Sequence, residues 1–112
     1  MLPPEPLRIF VSLKHMADQT VLRLVLFRLG SLVCAAPAVG VREVIPAGIP
    51  TRIPGASASV SGLLNLRGTL LTVVNGSRVI GLNEPEGSPE SVLVLDQSGR
   101  AVGLAVDEVL DL

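Results

Sequence analysis

Aromatic side chains are nearly missing: the 112 residues include two Phe and neither Trp nor Tyr. Any core must therefore be aliphatic, and the base stacking on which single-strand nucleic-acid binders rely has almost no material. Cys34 and His15 are the sole members of their types, which excludes an internal disulfide and leaves no ligand set for a tetrahedral metal site. Cys34, in "LVCAAP", reads as a small buried thiol, in keeping with a reducing cytoplasm. His15 reads as a solvated side chain, and with no second imidazole a Ser-His-Asp or Cys-His arrangement has nothing firm to rest on. No apolar run reaches the roughly 20 residues of a membrane-spanning helix, and "MLPPEPLRIFVSLKH" has prolines and a glutamate where a secretory signal needs a basic start and an apolar segment. Gly-x-x-x-x-Gly-Lys-Ser/Thr does not occur. No cofactor, nucleic acid or membrane insertion is expected.

What is present is aliphatic: 48% of residues are hydrophobic, with a mean hydropathy of +0.59. The length suits one domain with a real core. Residues 1–18 contain "PPEP" and show no sustained period, which predicts a flexible tail ahead of a folded domain at 19–112. The net charge of -1 argues against general nucleic-acid binding. It is unevenly spread: residues 1–80 hold eight of the nine basic residues and three acids, a net +5, while residues 81–112 hold Arg100 and seven acids, a net -6. The two halves should attract each other within one fold.

Local pattern predicts strands. "VLRLVLFRL" (21–29) and "LVCAAP" read as two strands joined at Gly30-Ser31, the second stopped by Pro37. "VGVREVI" alternates so that Val39, Val41, Glu43 and Ile45 oppose Gly40, Arg42 and Val44, and fits a strand or a helical turn. Three prolines in "PAGIPTRIPGASAS" make it a loop, with a short extended piece near Arg52 and Ile53. "GLLNLRGTLLTVV" reads as a hairpin hinged at Gly68, which accepts positive φ without a Cβ clash. "RVIGL" suggests a helical turn, "NEPEGSPE" an acidic loop, and "SVLVLD", "QSGR", "AVGLAVDEV" a second hairpin turning at Ser98-Gly99. Asp107 and Glu108, as neighbours in a strand, should point to opposite faces and read as surface charge at a strand end. Short strands with frequent turns indicate an all-β barrel or sandwich. A lone arginine inside an aliphatic run fits two readings: a solvated turn residue, or an anchor whose guanidinium fork suits partner recognition.

The order of motifs, "FRLGSLVCAAPAVGVREVI", then "PTRIPGASASVSGLLNLRGTLLTVVNGSRVIGL", then "AVGLAVDEV", resembles the CheW-like domain, the coupling module of bacterial chemotaxis arrays. The resemblance runs from about Val21 to Leu112, with "GLLNLRG" its most specific piece. It implies an all-β fold of two small SH3-like or OB-like five-stranded β-barrels, with the second half incomplete here. It also implies a cytoplasmic, non-enzymatic adaptor that bridges a chemoreceptor's cytoplasmic tip to the regulatory domain of the histidine kinase CheA. By motif position, Val41 and Arg67 would face the receptor and Glu43 the kinase. The chain departs from the family in having Thr72-Val73-Val74-Asn75-Gly76-Ser77-Arg78 where a proline and a carboxylate are usual. Members also normally continue for several tens of residues past "VDEV". An incomplete barrel exposes a strand edge, so the resemblance further implies pairing with a second copy or a partner, or else a truncated, non-functional remnant.

Overall fold

Turn residues cut the aliphatic sequence into short strands. The computed structural model describes residues 23–82 and 88–111, so the expected tail at 1–18, His15 within it and residues 83–87 of the acidic loop lie outside the described residues. Eight strands run in order among those described: β1 (Leu24–Leu29), β2 (Leu32–Pro37), β3 (Val41–Pro46), β4 (Val60–Leu66), β5 (Thr69–Asn75), β6 (Ser91–Gln97), β7 (Arg100–Val106) and β8 (Glu108–Asp111). A 3-10 turn at Ala38–Gly40 precedes β3, and one short helix, α1 (Gly76–Val79), follows β5. The helix starts earlier than "RVIGL" suggests because Asn75 caps it, its side chain accepting the Arg78 N–H at 3.2 Å.

The strands form two sheets, one of three strands in the order β2-β1-β8 and one of five in the order β3-β6-β7-β5-β4. The all-β expectation holds, and the sheet with fewer strands is the one built on β1, β2 and β8. Both predicted hairpins are present, at Arg67-Gly68 and at Ser98-Gly99. Their central residues all have positive φ, the geometry that matches the right-handed twist of flanking strands. One pairing is not a hairpin: β5 runs parallel to β7, with Thr72 opposite Val102 and Asn75 opposite Ala105. The proline-rich loop also contributes to the sheet, because Thr51 and Leu63 exchange both backbone hydrogen bonds at 2.8 Å. That bridge sets the chain leaving β3, at one end of the strand order, against β4 at the other, and so draws the five-stranded sheet into a barrel.

Gly62 makes the crossing work. It has φ of +143, and an added Cβ would run into the Thr51 carbonyl, so no other residue lets the two backbones come this close.

Alternation then fills two cores. Val92 and Val94 of β6 pack inside the barrel with Leu71, Val73 and Ala105. Leu93 and Leu95, on the other face of the same strand, pack between the sheets with Val25, Phe27, Leu29, Ala36, Leu104 and Val106. Fully burying each large aliphatic side chain contributes about 1.5–3 kcal/mol, so this two-sided aliphatic strand compensates for the scarcity of rings.

The charge asymmetry resolves into contacts. Arg28 Nε donates to Glu108 at 3.2 Å, Arg28 Nη1 lies 3.5 Å from Asp107, and Arg42 pairs with Asp96 at 3.2 Å. The reading of Asp107 as surface charge is corrected here. Its side chain is only 8% exposed, it accepts the Gly30 N–H at 2.6 Å, and its own N–H donates to the Arg28 carbonyl at 3.0 Å. Asp107 sits in the bend between β7 and β8, off the regular strand pleat, so both it and Glu108 reach Arg28.

Candidate protein-interaction site

Glu43 and Arg67 are 24 residues apart in the chain and meet at the surface. Arg67 occupies the first position of the β4–β5 turn with φ of +50, followed by Gly68 at +86. Asn65 secures the turn by accepting the Gly68 N–H at 2.8 Å. A β-bulge between Val41 and Glu43 breaks the period-two pattern of β3, with Val41 opposite Leu95 and Glu43 opposite Val94. Val41 therefore packs half-buried against the inter-sheet core, while Glu43 shares the side of Val94, which faces the barrel. A simple alternation would have kept the two on one face.

The guanidinium engages Glu43 as a fork. Arg67 Nη1 donates to Glu43 Oε1 at 3.1 Å, and Nη2 donates to Oε2. Those hydrogen bonds, and the opposite charge each group presents to the other, hold the Glu43 carboxyl below its ordinary value and raise Arg67 above its own. The pair is not interior, since 69% of the Arg67 side chain is exposed. The structure thus puts in contact two residues that the resemblance assigns to different partners. Sequence reasoning passed over Leu70, three residues beyond Arg67 in the chain, which is an exposed large hydrophobic. Its signal was the parity of "TLLTVV", where Leu71 and Val73 point inward and Leu70 must point out.

Elsewhere, a cleft of about 310 Å³ lies between the loop after β3 and the barrel, lined by residues including Ala47, Ile49, Ser61, Asn75 and Val92. None of its lining side chains is titratable, so it offers no acid or base. Among the described residues no cluster of His, Cys, Asp or Glu could hold a metal ion, and no helix is long and apolar enough to cross a membrane. Burial raises the Cys34 thiol above its ordinary value.

The family model for the CheW-like domain matches residues 23–112. The chain belongs to the CheW-like domain family. It is 36% identical over 90 residues to the chemotaxis protein CheW of Rhizobium meliloti (strain 1021), a match covering 80% of this chain and 58% of that protein. It is 35% identical over 60 residues to the chemotaxis protein CheW of Thermotoga maritima, covering 54% of this chain and 40% of that one. In three dimensions it resembles the crystal structure of the scaffolding protein TtCheW from Thermoanaerobacter tengcongensis, with a TM-score of 0.73 at 25% identity, over 83% of this chain and 66% of that one. The chain thus spans less than two thirds of the length of these CheW proteins, and within that span it has the all-β CheW fold.

Proposed function

We propose that this chain is a non-enzymatic chemotaxis adaptor that acts in the cytoplasm and couples a chemoreceptor's cytoplasmic tip to the regulatory domain of the histidine kinase CheA. The observation that carries the reading is the exposed Glu43–Arg67 fork, held by a bulge and a tight turn in a domain whose relatives are named as chemotaxis and scaffolding proteins. Recognition is favoured when a charged side chain is already held in place, because association then costs less in lost rotamer freedom. Glu43 occupies two N–H groups of the Arg67 guanidinium. Those that remain can donate to a partner's carboxylate or carbonyl.

In this reading Val41 and Arg67 serve the receptor and Glu43 the kinase, and the contact between Glu43 and Arg67 makes the two docking areas adjoin. Val41 acts from beneath, by packing the start of β3 against the inter-sheet core. The test is a pair of titrations of the full chain, one against the kinase regulatory domain and one against a receptor tip fragment, each repeated with Arg67→Ala. Weaker binding of the variant to the receptor fragment, with its thermal unfolding retained, supports the assignment. Failure of the unaltered chain to bind either fragment overturns the adaptor reading.

A further inference from the structure

Gly30-Ser31 joins β1 to β2 through only two residues, so Leu29 and Leu32 close the hairpin as a hydrogen-bonded pair. Alternation carries that pattern through Phe27 with Cys34 and Val25 with Ala36, and on to Arg23, whose carbonyl accepts the Ala38 N–H at 2.9 Å. The backbone N–H and C=O groups of Val33 and Ala35 therefore point away from β1. No described strand lies on that side.

Monomeric proteins ordinarily blunt such an edge with charges, bulges or coverage. β2, "LVCAAP", has no charge along its length, and its only blunting residue is the terminal Pro37. It also presents Leu32 at 46% and Val33 at 66% exposure. The other edges differ. β8 carries the charged Glu108, which already pairs with Arg28. β3 carries Arg42 and Glu43, and β4 is already bridged by Thr51. Among these edges, β2 is the one that is open, apolar and free of charge repulsion against a copy of itself.

We propose that β2 is a self-pairing edge, through which two copies of this chain associate by an antiparallel β2–β2 contact centred on Cys34. Val33 of one protomer and the partner's Ala35 exchange N–H to C=O hydrogen bonds, and the two-fold axis repeats the exchange. The two three-stranded sheets become one sheet of six strands, and each exposed Val33 gains an apolar cross-strand neighbour. A contact centred instead on Ala35 would set Val33 against the partner's Pro37, which has no N–H to return the bond. In the Cys34-centred register the two Cys34 residues form the non-hydrogen-bonded pair, with Cα atoms about 4.5 Å apart, a separation within the range that a disulfide spans. The contact is separate from the Arg67 surface, so it stands or falls independently of the adaptor reading.

The test combines sedimentation of the full chain over a range of concentrations with mild oxidation by copper-phenanthroline, read on a non-reducing gel. The expected result is a mass that doubles as concentration rises and a covalent dimer that disappears when Cys34 is replaced by Ser. Val33→Lys places two like charges at the seam and should weaken dimerisation by at least about tenfold, corresponding to 1.4 kcal/mol. Ala35→Pro removes an outward N–H while leaving the bonds of Leu32, Cys34 and Ala36 to β1, and should weaken it similarly. Circular dichroism melting of both variants checks that they fold. A monomer at every concentration overturns the proposal, and is the outcome if other residues of this chain cover β2. A dimer that both substitutions leave unchanged, or one in which Cys34 never cross-links, overturns it as well.

Discussion

Asp107 and Gly30 lie 77 residues apart and share a 2.6 Å hydrogen bond, from backbone N–H to carboxylate. The same carboxylate lies 3.5 Å from Arg28 Nη1, while Arg28 Nη1 also donates to the Gly30 carbonyl at 2.8 Å. Together these bonds pin the β1–β2 turn to the bend between β7 and β8, and so join the two sheets. Asp107→Ala leaves the Gly30 N–H and the Arg28 charge without that acceptor, and should cost about 2–3 kcal/mol. Asp107→Asn keeps an acceptor and should cost less. Urea unfolding of the two variants measures both.

Gly62→Ala should be among the most harmful single-methyl additions in the chain. It combines positive-φ strain with a clash against the Thr51 carbonyl, and a loss of about 3 kcal/mol is expected. Gly68→Ala provides the comparison: φ is also positive, at +86, but the added methyl meets nothing within 4 Å, so only about 1 kcal/mol should be lost. Thermal melting of the pair separates strain from collision.

The fork between Arg67 and Glu43 predicts a pH dependence with a definite sign. Arg67 holds the Glu43 carboxyl below its ordinary value of 4.5, so the folded state gives up this proton more readily than the unfolded chain. The pair's contribution to stability is complete above the ordinary glutamate range and is lost as pH falls through the lowered folded value. A side-chain carboxyl titration by NMR should find the Glu43 midpoint below 4.5, and Arg67→Ala should bring it back up.

Binding offers a separate test of the same two residues. Arg67→Ala should weaken receptor binding roughly thirtyfold, or about 2 kcal/mol, as truncation of an interface anchor does. Glu43→Lys replaces attraction with repulsion at a half-buried surface position, so its defect should shrink as salt is added. Titrations at low and high ionic strength measure the difference.

The hairpins were legible in the sequence because their signals are local. Gly68 and Gly99 mark the turns, and the apolar runs on either side of each fix the pairing. Asp107 was not legible, since its burial depends on Arg28 and Gly30 arriving from the far end of the chain. The β5–β7 pairing escaped for a similar reason: parallel neighbours leave no turn between them to read. Val41 and Glu43 were singled out by motif order alone, and Arg67 by that order together with its place in an aliphatic run. That order held no hint that Glu43 and Arg67 touch, because only the curling of the sheet brings β3 near the β4–β5 turn. The short extended piece expected near Arg52 and Ile53 of the proline-rich loop falls at the adjacent Thr51, and that residue closes the curl.

One consequence follows from β6. Val92 and Val94 look into the barrel, and Leu93 and Leu95 look toward the three-stranded sheet, so "VLVL" is a party wall with a tenant on each side. A wall of that kind allows neither room to be remodelled alone. A bulkier side chain seated at position 94 would push the strand into the space that Phe27 and Leu104 occupy on the far side.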